Sequence, residues 1–201
     1  KHIVRSTYIN VAQTAVEMFR FPYLTHDYVE RYVTIDGFEK INRERAKGKG
    51  VIFLTAHFGN WELLAIISAL KNIPIKVLAR EQKHSRLNDL LNTFRSTHGN
   101  EVIGKGMALR EIMQALKDNN IVGILSDQSG GSSGMYVDFF GRKTTTPPGV
   151  ISIAQRTGCS VLPCFIVRTD KGCHHIYIND PLVIPQTGNE KEDLHAGLRN
   201  Y

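Results

Sequence analysis

Long apolar runs are missing from this 201-residue chain. The longest uncharged apolar stretch, around Leu63–Leu70, falls far below the ~20 residues that a bilayer-crossing helix needs. No signal peptide is visible either. Cysteine is scarce. Cys159, Cys164 and Cys173 are an odd set without paired spacing, which argues against a disulfide framework and for a reducing compartment. Cys173-His174-His175 has metal-ligand chemistry, but no CxxC and no second tight pair accompany it. Repeats and low-complexity linkers are absent. The chain opens on Lys1, and Asp193–Tyr201 reads as a helix cut in mid-course, so a longer protein is expected around it.

An acidic excess is also lacking. Lys and Arg number 25 against 19 Asp and Glu, a formal charge of +6. Such a balance suits an ordinary basic protein. It also suits an anionic partner: phosphates, nucleic acid or an acidic membrane surface. Nucleic acid is the weakest of these, because no recognition motif is present and the aromatics are not interleaved with basic residues.

What the chain does have is alternation of helix and strand. Val4, Val11, Ala15, Met18 and Phe19 fall at helical spacing up to Pro22. A helix through Phe38, Ile41 and Arg45 is expected, with Asp36 as its cap and an end near Gly48. Short buried strands are expected at 51–54, 75–78, 102–103, 121–125 and 161–167, with a last one at 174–178. Between them the pattern predicts helices at 59–71, at 87–94 behind a Ser85 cap, at 109–116 and at 149–157. The fold class is therefore α/β, one domain over residues 1–201, with a mostly parallel central sheet flanked by helices. Ligands of such sheets bind at the carboxyl ends of strands.

Ala56-His57-Phe58-Gly59-Asn60-Trp61-Glu62 begins just past one of those ends. His57 sits on the strand-to-helix turn, and Glu62 falls in the first helical turn, where the dipole favours a carboxylate. Glu62 can fold back and hold one imidazole nitrogen, leaving the other to take a proton from an alcohol. Gly59 allows a sharp bend and a close approach. A locally bonded core histidine with Glu62 as a capping-box residue fits the same residue types.

Two other motifs come close without fitting. Gly130-Gly131-Ser132-Ser133-Gly134 matches the GxSxG of serine hydrolases and thioesterases, but that elbow needs a helix after the serine, and Met135–Phe140 reads as extended. Gly99-x4-Gly104-Lys105 nearly matches a phosphate-binding loop. Gly106 stands where Ser or Thr is required, and the order is helix to strand.

The block AHFGNWELL resembles the first motif of the lysophospholipid acyltransferase superfamily. Its glutamate and Phe-Gly-Asn-Trp spacer resemble one branch, the late acyltransferases of lipid A biosynthesis, which include lauroyl and myristoyl transferases. Further blocks follow in order over roughly residues 36–185. They are Gly48-Lys49-Gly50, Arg80, Arg95, Leu125-Ser126-Asp127-Gln128, Val137-Asp138-Phe139-Phe140-Gly141 with Thr144-Thr145-Thr146, and Val161-Leu162-Pro163 with Arg168. Asp138 departs from the family's frequent proline, and 129–134 is unusually small and flexible.

This resemblance implies an acyltransferase carrying a fatty acyl group from an acyl thioester to a hydroxyl of a lipid A precursor or a related glycolipid. The donor would be acyl carrier protein or coenzyme A, with no bound cofactor or metal. It implies His57 as base and Glu62 as its partner, with Arg95 on a site carboxylate or acceptor phosphate and Asp127 fixing an arginine or contacting the sugar. Asn60, Arg80, Arg142, Lys143 and Arg168 are the expected substrate contacts, with Lys105 a further phosphate ligand. Arg95 also fits an exposed helix charge, and Asp127 a turn. Leu63, Leu64, Ile66 and Ile67 could border an acyl pocket, but their spacing fits helix core better. The resemblance places the protein on the cytoplasmic face of the bacterial inner membrane, and it implies an N-terminal membrane helix and a further stretch of catalytic domain outside this sequence.

Overall fold

The structure, a computed structural model, describes residues 2–104, 108–169 and 172–200. Helix α1 (His2–Met18) leads through a turn at Phe21–Tyr23 into α2 (His26–Tyr32). There follow β1 (Val33–Asp36), α3 (Phe38–Arg45), β2 (Val51–Thr55), α4 (Trp61–Leu70) and β3 (Ile75–Leu78). Next come α5 (Ser85–Arg95), β4 (Glu101–Ile103), α6 (Ala108–Lys117) and β5 (Ile121–Leu125). The hairpin β6 (Met135–Phe139) and β7 (Arg142–Thr146) precedes α7 (Gly149–Thr157), β8 (Ser160–Arg168), β9 (His174–Ile178) and α8 (Glu190–Arg199).

Seven strands form one sheet in the order β1-β9-β8-β2-β5-β3-β4. Every pairing is parallel except β8 with β9. At its centre β2 is buried along its whole length, which explains its unbroken apolar run. Alternate residues leave on opposite faces. Val51 and Phe53 enter one core with Leu63, Leu64, Ile66 and Ile67 of α4. Ile52 and Leu54 enter the other with Ile112 and Leu116 of α6 and Val150 and Ile153 of α7. The α4 residues are thus core. The space beside Leu64 and Ile67 is about 20 Å³, room for about one water molecule.

Local expectations differ from the fold in four places. Asp36 does not cap α3: it ends β1, and Gly37 takes the cap position in the left-handed region. Ser85 is the first residue of α5 rather than its cap, and no side chain caps that end. Of the α5 stripe, Leu91 and Phe94 pack on the core, while Leu87 and Leu90 are exposed. Most of α1's apolar stripe is likewise exposed, Val4 and Val11 included, as is Phe19 just past its end, and within α1 only Thr14 and Met18 are buried. Among the described residues no helix is long and apolar enough to cross a membrane.

Candidate active site

Strands β2 and β5 are parallel neighbours, with Thr55 beside Leu125. The segments leaving their carboxyl ends therefore emerge together, and the Ser126 N–H donates to the Thr55 carbonyl at 3.3 Å. One residue further on, Asp127 meets His57. Oδ1 of Asp127 lies 2.8 Å from His57 Nδ1, and Oδ2 accepts the backbone N–H of His57 at 2.9 Å. An ionised carboxylate only accepts, so Nδ1 carries the proton and Nε2 presents its lone pair. Among the described residues Nε2 makes no hydrogen bond. The His57 ring lies 5.0 Å from the Trp61 ring, edge to face. Both members of the pair are partly open to solvent, at 40% and 36% of their side-chain area, so a substrate can reach them.

Glu62 is engaged elsewhere. Arg95 Nε donates to its two carboxylate oxygens at 3.2 and 3.0 Å, and Nη2 adds a third bond. The two side chains are only 10% and 13% exposed. The expectation that Glu62 holds His57 is therefore replaced by two pairs, His57–Asp127 and Glu62–Arg95. A guanidinium fork matches a carboxylate better than one imidazole N–H does, and Arg95, the last residue of α5, is favoured at a helix C-terminus. Arg95 does meet a site carboxylate, as expected, and it is not an exposed helix charge. Asp127 meets the histidine rather than an arginine.

Asn60 is fully buried. Its side-chain oxygen caps α4 by accepting the Leu63 N–H at 3.0 Å, and its amide donates to Glu17. Both ends are used inside the protein, so the expected substrate contact gives way to a structural cap. Arg168 is likewise committed. It donates to Glu17 at 3.0 and 2.7 Å and to Asn10 at 2.6 Å, tying β8 to α1. Burial pushes the Glu17 carboxyl up. The neighbouring His174, Arg168 and Asn60 more than offset this, and its pKa falls to about 2. No sequence signal links Glu17 to this site; it arrives there because α1 packs across the turn, with Asn10 and Thr14 donating to the Gly59 carbonyl.

Arg80, Arg142 and Lys143 are exposed. The last two begin β7 at the tip of the hairpin, while Arg80 follows β3. Lys105 lies outside the described residues. Ser132 and Ser133 form a short turn that runs into β6, so no helix follows them and the hydrolase elbow is not built. His174 and His175 face opposite ways along β9: His174 is buried 3.7 Å from Glu17, and His175 bonds Asp36 at 2.8 Å. Among the described residues no three His, Cys, Asp or Glu side chains converge on a common metal position.

A phosphatidylinositol mannoside acyltransferase of Mycobacterium tuberculosis is 26% identical over 153 residues, covering 73% of this chain and 48% of the relative. Its namesake in Mycolicibacterium smegmatis is 24% identical over 80% of this chain and 54% of the relative. A lipid A biosynthesis acyltransferase of Haemophilus influenzae is 19% identical over 82% and 52%. The chain spans about half the length of the curated relatives it matches. The family described as bacterial lipid A biosynthesis acyltransferase matches residues 1–197, and with nearly the whole sequence covered, the chain belongs to that family.

Proposed function

We propose that this chain carries the catalytic centre of an O-acyltransferase that moves a fatty acyl group from a thioester to a hydroxyl of a glycolipid. The observation that carries the reading is the His57–Asp127 pair at the carboxyl edge of the sheet, with Nδ1 held at 2.8 Å and Nε2 unoccupied. Nε2 takes the acceptor's hydroxyl proton. The oxygen attacks the thioester carbonyl carbon, the carbon–sulfur bond breaks, and the imidazolium returns its proton to the departing thiolate. Asp127 keeps the ring in its tautomer and stabilises the transient cation. Glu62, in the first turn of α4, and Arg95, at the end of α5, form a nearly buried ion pair that braces the helix following the His57 turn.

The acceptor is a phosphate-bearing glycolipid of the lipid A precursor or phosphoinositol mannoside type, in keeping with the names of the relatives. The donor is acyl carrier protein or coenzyme A. The protein works at the cytoplasmic face of the bacterial inner membrane. Its net charge of +6 and its exposed aromatics support binding to an anionic surface. Incubating the protein with a bacterial lipid extract and a panel of acyl thioesters, followed by mass spectrometry, tests the reading. The expected product is a glycolipid heavier by one acyl chain. Release of free fatty acid independent of any acceptor, with no acylated lipid, would sink it.

A further inference from the structure

A cavity of about 460 Å³ opens between the end of α1 and α2. Its walls include Arg20, Tyr23, Thr25, Tyr28, Arg31 and Tyr32. The segment is fixed from below by Phe21, Leu24 and Val29, all buried, so Tyr23 and Thr25 stand outward while Tyr28 is half-buried against the core. The Tyr28 and Tyr32 rings lie 5.3 Å apart, and the Arg20 guanidinium sits 5.7 Å from the Tyr28 ring centre. Among the described residues Arg20 makes no ion pair. The carboxylate on this wall, Asp27, reaches Arg31 at 3.9 Å with both side chains about three-quarters exposed (77% and 73%), a contact that holds little. Positive charge is thus left over, beside flat aromatic faces.

The cavity shares an edge of the sheet with His57. Tyr32 leads into β1, whose Val33 pairs with His174. His174 pairs in turn with Arg168 at the carboxyl end of β8. β8 borders β2, which ends two residues before His57. Three strand spacings, about 14 Å, separate β1 from β2 across the sheet. Guanidinium groups bind phosphate through paired donors, and tyrosine faces accept a flat ring. We infer that this cavity holds the phosphate-bearing, ring-containing end of a substrate whose reacting group lies at His57. The inference rests on the acyl-transfer reading above. Two substrates have that chemistry: a phosphopantetheine donor with its nucleotide, and a glycolipid with its phosphorylated headgroup.

Calorimetry with coenzyme A and, separately, with glycerophosphoinositol tests it on the chain as it stands and on Arg20→Gln, Arg31→Gln and their double variant. The double variant is expected to weaken one probe by about tenfold or more. It should raise KM for the matching substrate with kcat nearly unchanged. Transfer from an acyl-pantetheine lacking phosphate should not change on the donor side. Weakened coenzyme A marks a donor site, and weakened glycerophosphoinositol an acceptor site. The inference is overturned if the unaltered chain binds neither probe, if the double variant binds both as before, or if kcat falls while KM for both substrates stays unchanged. His57→Ala should bind the probes normally, so absence of transfer in the unaltered chain would count against the reaction and not against the cavity.

Discussion

Asp127 grips His57 twice, through ring Nδ1 at 2.8 Å and through the backbone N–H at 2.9 Å. One carboxylate thus sets both the tautomer of the imidazole and the position of the turn that bears it. His57→Ala removes the proposed base, and transfer should fall by ~10²–10⁴-fold. Asp127→Ala should fall into the same range, and the double variant should be little worse than His57→Ala, because Asp127 acts through His57. Single-turnover transfer to a glycolipid acceptor, with circular dichroism to check folding, measures all three. Near-normal transfer by folded His57→Ala would contradict the site assignment.

Glu62 and Arg95 behave differently, since removing either strands a nearly buried charge. Glu62→Ala and Arg95→Ala should each lower stability by about 3 kcal/mol. Replacing both together, as Glu62→Ala with Arg95→Ala, should cost less than the sum of the two single changes. Urea denaturation gives the comparison, and strict additivity would show that the pair is not coupled.

Gly59 is a backbone requirement of the turn. Its φ is +61°, and a Cβ there would lie 1.8 Å from the Ile166 carbonyl oxygen. Gly59→Ala should destabilise by at least about 2 kcal/mol. Gly131 has a similar φ of +57° with open space around it, so Gly131→Ala should cost only about 1 kcal/mol. Equal losses in the two variants would show that conformation alone matters and that the contact with β8 does not.

The Glu17 carboxyl has a folded pKa of about 2 against an ordinary 4.5. Its contribution to stability is complete above 4.5 and drains away as pH falls toward 2. Over that window the unaltered chain should lose stability more steeply than Glu17→Gln. Thermal unfolding at successive pH values between 5 and 2 reads the difference; parallel curves would show that Glu17 is not linked to folding.

Membrane association should have two separable parts. Sedimentation with anionic vesicles is expected at low salt and should weaken as salt rises, because screening reduces surface attraction. Phe140, 93% exposed beside Phe139 at the hairpin tip next to Arg142 and Lys143, should supply part of the salt-resistant remainder. Phe139→Ser with Phe140→Ser should diminish it. Equal binding to neutral and anionic vesicles would remove the electrostatic part.

Much of the molecule is written locally. The buried runs at 51–55 and 121–125 declare central strands, and a histidine two residues past such a strand, ahead of a helix, points to a candidate site. The bend at Gly59 and the placement of Asp127 at a strand end also follow from neighbouring residues, whereas Asn60 reads as a substrate contact and only the structure shows it to be a cap. β1 and α2 are not legible in this way. Val33–Asp36 is short and only half-buried, and seven residues at His26–Tyr32 give too little periodicity to register.

Which carboxylate serves His57 was decided by the tertiary structure. Glu62 is five positions away and looks the natural partner; Asp127 is seventy away. The choice turns on sheet order, because β5 inserts next to β2 while β3 and β4, which lie between them in sequence, are pushed outward. That order brings Asp127 to the imidazole, and the packing of α5 against α4 brings Arg95 to Glu62. Local sequence fixes which residues can carry a charge or a proton, but a pairing between them depends on distance in space, and that distance is set by burial of the two apolar faces of the sheet.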